Sequence, residues 1–131
     1  MAAREAACNC GQLKLVVEGE PSRVSVCHCL ACQRRTGSAF GFQARFPRDR
    51  IEIIGSSREY TRISDDGQRR TFSFCPQCGA TVYYVDASAP ELLAVPVGAF
   101  ADPSFPPPSF SVWEDRKHAW VTMPPDVERH R

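Results

Sequence analysis

Seven of the 131 residues are cysteine, and they fall into three groups. Cys8 and Cys10 form one, Cys27, Cys29 and Cys32 the second, and Cys75 and Cys78 the third. Each group has the spacing of metal ligands. The run Cys75-Pro76-Gln77-Cys78-Gly79 is the strongest local signal. A tight turn there lets two sulfurs face one ion, and Gly79 supplies the backbone freedom the turn needs. Backbone N–H groups in such a turn can donate to the sulfurs and stabilise their charge. A redox C-x-x-C would need a βαβ setting, whereas the flanking segments here read as strands. In extended chain, residues i and i+2 share a face, so Cys8 and Cys10 can reach one ion while Asn9 points away. Joined to Cys75 and Cys78 they make a closed four-thiolate site of structural type, each sulfur about 2.3 Å from Zn²⁺.

The middle group, Cys27-His28-Cys29-Leu30-Ala31-Cys32, implies different chemistry. Cys27 and Cys29 face one way by strand alternation, and Cys32 rejoins them if a helical turn begins at Leu30. Three protein ligands leave a fourth position for solvent or substrate. His28 is a candidate fourth ligand, but its position between two ligands makes that geometry poor and favours a hydrogen-bonding or packing role. His118 or His130 could instead close the site from afar. Three thiolates on Zn²⁺ leave a net charge of −1, which weakens the ion as a Lewis acid. Such a site suits holding a substrate thiol as its nucleophilic thiolate rather than activating water. Cys27, Cys29 and Cys32 are therefore the expected catalytic residues. Arg34 and Arg35 follow at once, with Ser38 in the next turn. These three are either the binding groups for the carboxylates of a small anionic thiol or solvated surface residues.

The elements that must position these groups are mostly strands. Eleven prolines and eight glycines cut the chain into short pieces. Strands are expected at Leu13–Val17, Val24–Val26, Ala39–Phe46, Ile51–Ile54, Arg58–Ile63, Arg69–Phe74, Thr81–Val85 and Leu92–Val97. Phe40, Phe42 and Phe46 fall at even spacing, the period of a strand with one buried face. Asp65-Asp66-Gly67 reads as a hairpin turn, and Leu30–Arg35 as the one helical turn. Pro106-Pro107-Pro108 reads as a rigid surface loop. Trp113 and Trp120 mark either the rim of a pocket or the end of the core. The fold class is all-β, antiparallel, in a single domain of residues 1–131.

Composition excludes several classes. Hydrophobic residues make up 43% and charged residues 24%, as in ordinary globular proteins. A net charge of +1 gives no reason to expect nucleic acid or an anionic membrane as partner. No run of 18 apolar residues predicts a transmembrane helix. The stretch MAAREAACNC has no long apolar core of a signal peptide. A cytoplasmic location is expected, where thiols stay reduced and serve metals.

Together these residues resemble the glutathione-dependent formaldehyde-activating enzyme family, which includes the centromere protein V domain. The matching motifs are C-x-C-G at Cys8–Gly11, C-H-C-x-x-C at Cys27–Cys32, R-x-T-G-S-A-F at Arg34–Phe40 and F-C-P-x-C-G at Phe74–Gly79. V-G-A-F at Val97–Phe100, Asp102-Pro103 and the segment Trp113–Trp120 add to the likeness, which covers roughly residues 6–125, with 126–131 as a tail. The resemblance implies small folded, tent-like β sheets around a structural zinc on Cys8, Cys10, Cys75 and Cys78. It implies a second, catalytic zinc on Cys27, Cys29 and Cys32. The activity it implies is carbon–sulfur lyase chemistry run in reverse, adding glutathione to formaldehyde to give S-hydroxymethylglutathione. The partners are then a small thiol and a small aldehyde. The contrasting expectation is a non-enzymatic, zinc-stapled binding module with two structural metal sites. A third is redox chemistry at Cys27 and Cys29 when no metal is bound.

Overall fold

A computed structural model describes residues 2–131. Eleven strands and one short helix follow in order: β1 (Ala3–Ala7), β2 (Lys14–Glu18), β3 (Arg23–Cys27), α1 (Leu30–Thr36), β4 (Gly41–Pro47), β5 (Ile51–Ile54), β6 (Arg58–Ile63), β7 (Arg69–Phe74), β8 (Thr81–Asp86), β9 (Leu92–Pro96), β10 (Phe110–Val112) and β11 (Glu128–Arg129). The all-β expectation holds, as do the eight strands and the helical turn, with ends shifted by a residue or two. Two sheets result. β1, β2 and β5 make a three-stranded sheet, and the rest make an eight-stranded sheet in the order β11-β10-β3-β4-β9-β8-β7-β6. Most pairings are antiparallel. The exceptions lie at one edge, where β10 runs parallel to β3 and β11 parallel to β10.

The main core lies between the small sheet and one face of the large one. Ala6, Leu15 and Val17 meet Val24, Ala44, Phe46 and Val95, all buried. In β4, Phe46 and Ala44 are fully buried on this face and Phe42 partly, but Phe40 precedes the strand and Gln43 on the opposite face is buried too, so the strand is covered on both faces rather than the one expected. Phe100 packs on Phe46 at 6.0 Å and stacks on Phe105 at 4.8 Å, so the segment after β9 seals the core. The other face of the large sheet carries Ser25, Gln43 and Tyr84. A register slip between Ser73 and Phe74 interrupts the β7–β8 ladder. Such a bulge re-aims side chains. It allows Val82 to enter the core while Tyr84, two residues on, faces the opposite side.

One glycine is dictated by close approach. Gly55 ends β5 with φ +102, and a Cβ there would lie 1.9 Å from the carbonyl oxygen of Gln12. Gln12 in turn clamps the same turn, with Nε2 donating to Ser56 O at 2.6 Å and Oε1 accepting from Ser56 N at 3.0 Å. Gly55→Ala is expected to cost at least about 2 kcal/mol, from left-handed strain plus the clash. Urea unfolding of the metal-loaded protein measures it. A change below about 0.5 kcal/mol, usual for surface substitutions, refutes it.

Candidate metal centres and active site

The two hairpin-like turns bearing paired cysteines meet as their spacing suggests. Cys8 and Cys10 follow β1, and Cys75 and Cys78 sit in the turn between β7 and β8. The four sulfurs all lie within 4.8 Å of one another. Cys10 Sγ is 3.6 Å from both Cys8 Sγ and Cys75 Sγ. A tetrahedral ion with sulfurs at about 2.3 Å needs sulfur–sulfur edges of about 3.8 Å, so the donor set fits an ion of zinc's size. Gly79, at φ +79, closes the turn by donating its N–H to Cys75 O at 2.8 Å. The surroundings favour thiolates. Leu13 N donates to Cys8 Sγ at 3.3 Å, and Gln77 N to Cys75 Sγ at 3.4 Å. Burial works against the Cys75 thiolate. Donation from Gln12 Nε2 at 3.0 Å and from backbone N–H groups outweighs it and holds this thiol down at about 6.

The second cluster is assembled at the junction of β3 and α1. Cys27 is the last residue of β3, Cys29 caps α1, and Cys32 lies in its first turn. Cys29 has extended backbone, and its sulfur accepts from Cys32 N at 3.3 Å, as a cap should. The helix begins at Leu30, so Cys32 does rejoin the other two, and all three sulfurs lie within 4.8 Å of one another. Cys32 is buried, and Cys27 and Cys29 are half-buried. Three sulfurs so close cannot all carry charge without a cation among them. Hydrogen bonds from Cys27 and Cys32 push Cys29 well down, and the bond to Cys29, then that to Cys32 and burial, push Cys27 up. The donor set therefore fits a metal ion in this cluster also.

No histidine joins either cluster among the described residues. His28 is fully buried and points the other way, with Nε2 2.9 Å from Ser111 Oγ, which donates to Glu114 at 2.6 Å. The hydrogen-bonding role expected for it is the one it has. His118 bonds Gln33 and His130 bonds Glu128. Open space borders the trio instead. A cavity of about 500 Å³ is bordered by Cys27 and Cys32, and a smaller recess of about 270 Å³ by Cys29. Arg62, Arg70 and Trp113 wall both. Trp113 is thus a pocket rim, while Trp120 is 73% exposed and belongs to neither pocket nor core.

Of the three residues expected to bind substrate, Arg34 and Arg35 line one further recess of about 530 Å³ with Arg62 and Tyr60, and Ser38 stands apart. Arg34 borders the recess at Cys29. Arg35 lies against the rings of Phe72 and Tyr84, 5.1 and 5.3 Å from their centroids, and its Nε is buried with no partner. Ser38 is exposed on the turn after α1 and borders neither space. The cavity's own polar groups come from three strands: Ser25 from β3, two residues before Cys27, Gln43 and Arg45 from β4, and Arg70 from β7. For Ser25, Gln43 and Arg45 the one signal in the sequence is the alternation of polar and apolar residues in β3 and β4.

These features define a β protein with a closed four-sulfur centre and an open three-sulfur centre beside a cavity. The chain belongs to the glutathione-dependent formaldehyde-activating enzyme family, whose model matches residues 3–116. A crystal structure of a Rhodobacter sphaeroides protein shares the fold, with a TM-score of 0.58 and 22% identity over 72% of this chain and 85% of that one. No curated protein matches. No helix among the described residues is long and apolar enough to cross a membrane.

Proposed function

We propose that this chain is a zinc-dependent carbon–sulfur lyase-type enzyme that joins a small thiol, glutathione in the first instance, to a small aldehyde such as formaldehyde. The observation carrying this reading is the open three-sulfur cluster with a cavity of about 500 Å³ against it. Cys8, Cys10, Cys75 and Cys78 hold a structural zinc, and Cys27, Cys29 and Cys32 hold the catalytic one. Sulfur-rich tetrahedral sets favour Zn²⁺ over harder cations. Bound there, the ion supplies thiol acidification: it stabilises the thiolate of the substrate at neutral pH.

The chain's own residues do the rest. Cys27, Cys29 and Cys32 fix the position at which the substrate sulfur sits. Half-burial of the cluster and the wall of Trp113 limit water at that point. The guanidinium group of Arg62, unpaired among the described residues, offsets the negative charge brought by substrate, whereas Arg70 is already paired with Asp66 and Asp86. Arg34 and Arg35 add positive charge on the helix side, and Ser38 stands at the end of that helix. In the reaction the sulfur–carbon bond forms and the carbonyl π pair moves to oxygen. That oxygen takes up a proton equivalent to the one the thiol released, so no oxidant or reductant is needed. The decisive measurement is exchange between glutathione, formaldehyde and adduct, followed by NMR with fully metallated protein. Acceleration over the uncatalysed exchange is expected, and an unchanged rate sinks the proposal. A purely structural second centre is disfavoured by the cavity, since a closed site needs no chamber beside it.

A further inference from the structure

The register of β3 against β4 lays out one face of the large sheet in rungs. Cys27 pairs with Gly41, Ser25 with Gln43, and Arg23 with Arg45. Alternate residues share a face, so these three rungs point the same way, while Val24 and Ala44 turn into the core. The face is the floor of the cavity of about 500 Å³, lined by Cys27, Ser25, Gln43, Arg23 and Arg45. Each rung lies about 7 Å from the next, two residues along a strand. The cysteine end therefore leads, over the length of a short peptide, to a guanidinium end.

The middle of this floor has unmet hydrogen-bonding capacity. Ser25 and Gln43 are 3% and 2% exposed. Ser25 Oγ accepts from Gln43 Nε2 and from Arg45 Nη1, each at 2.9 Å. One hydroxyl thus fixes both neighbours. Gln43 Oε1 is left buried and without a donor, a costly state that a ligand N–H relieves. Its place next to the cluster is set by Gly41. A Cβ there would lie 3.0 Å from Arg35 Nη2, 3.3 Å from Gln43 Oε1 and 3.4 Å from Cys32 Cβ.

Charge completes the pattern. Asp66 and Asp86 are the cavity's carboxylates, and both pair with Arg70, at 3.7 and 3.1 Å. No ion pair involves Arg23, Arg45 or Arg62 among the described residues. Arg45 is oriented by Ser25 yet has no anion. A fixed guanidinium one hydroxyl away from a donor-seeking amide oxygen matches a carboxylate with a neighbouring N–H. That pair of groups is the mark of an amino-acid or peptide end.

We propose that the Ser25–Gln43–Arg45 floor is the specificity subsite of the chain. Gln43 Oε1 takes an N–H and Arg45 takes the adjacent carboxylate of a thiol whose sulfur lies at the Cys27 rung. The proposal rests on the thiol reading of the cluster for its direction, but the subsite can be tested without thiol chemistry. S-methylglutathione has no S–H and keeps both ends. Calorimetric titration into the metal-loaded protein is expected to show binding. Arg45→Met is expected to weaken it about tenfold or more, and Gln43→Leu several-fold, as lost charged and neutral hydrogen bonds would. Metal content and melting temperature of each variant establish that it is folded. Arg45→Lys, which keeps the charge but not the fork, is expected to recover only part of the affinity.

Two fragments identify which end is read. γ-Glutamyl-S-methylcysteine retains the ammonium-bearing carboxylate, and S-methylcysteinylglycine retains the amide-bearing one. The fragment whose binding responds to Arg45→Met carries the recognised end. No binding of S-methylglutathione to the parent protein overturns the subsite, as does binding to folded Arg45→Met and Gln43→Leu variants equal to the parent's. A loss of 2-mercaptoethanol binding as large as that of S-methylglutathione overturns it too, because that thiol has neither group. Arg45-sensitive binding without any formaldehyde exchange leaves the subsite standing and removes the catalytic reading. Exchange with Arg45-indifferent binding does the reverse.

Discussion

Replacing Cys29 by serine is expected to lower the rate of adduct exchange about a hundredfold or more while leaving the protein folded. Loss of even the groups behind a metal ligand costs about 10- to 100-fold, and a ligand itself costs at least that. The choice of serine follows from the geometry. Cys29 has two tasks, as a member of the sulfur trio and as the cap of α1, where its sulfur accepts from Cys32 N. A serine hydroxyl is among the best helix caps, whereas alanine would forfeit about 1 kcal/mol at this position. Cys29→Ser thus separates the tasks. Metal analysis is expected to fall from near two ions per chain to near one, with the melting temperature nearly unchanged. Full activity in a variant holding one ion would exclude the trio as the reacting centre. A large drop in melting temperature would mark the trio as structural instead.

Removing the other ion is expected to have the opposite profile. A strong chelator, or Cys75→Ala, should unfold much of the molecule at ambient temperature, and added zinc should restore the chelated protein. Structural Zn²⁺ contributes about 10–16 kcal/mol of apparent binding energy in small zinc-dependent peptides. Whole domains are stable by only about 5–15 kcal/mol. The four-sulfur centre also joins parts 65 residues apart along the chain. It fastens the turn after β1 to the turn between β7 and β8, and through Gln12 to the end of β5. Circular dichroism and amide exchange check this. Exchange is expected to rise first in β1 and β2. Metal-free protein with an unchanged melting temperature and slow exchange in these strands would refute it.

What the sequence revealed was local. Cysteine spacing within each group, even-spaced phenylalanines in β4, and the Asp65-Asp66-Gly67 turn are all encoded within a few residues. Phe46 is buried, and that turn does join β6 to β7. The missed elements owe their state to partners. β1 reads AREAA, composed of good helix formers. It is a strand because five residues of β2 pair with it. β10 is three residues after a proline run, too short to announce itself, and depends on β3. The functional surface divides in the same way. The cysteine trio was visible as C-H-C-x-x-C. Arg45 and Gln43 were not, because only the pairing of β3 with β4 places them beyond Cys27. Arg34, Arg35 and Ser38 lie near the trio by sequence adjacency, whereas the cavity floor follows strand register.

The parallel edge has a consequence for how the molecule comes into being. β10 pairs with β3 across more than 80 residues, and Val112 O accepts from the N–H of His28, the residue between two members of the trio. During synthesis, the chain can gather Cys8, Cys10, Cys75 and Cys78 once Cys78 has left the ribosome. The loop carrying Cys27 and Cys29 must wait for residues 110–114 before Val112, Ser111 and Glu114 can hold His28 in place. The closed centre can therefore form before the strand behind the open one exists. The staple of the four-cysteine centre thus precedes, in the order of synthesis, the strand that backs the three-cysteine cluster.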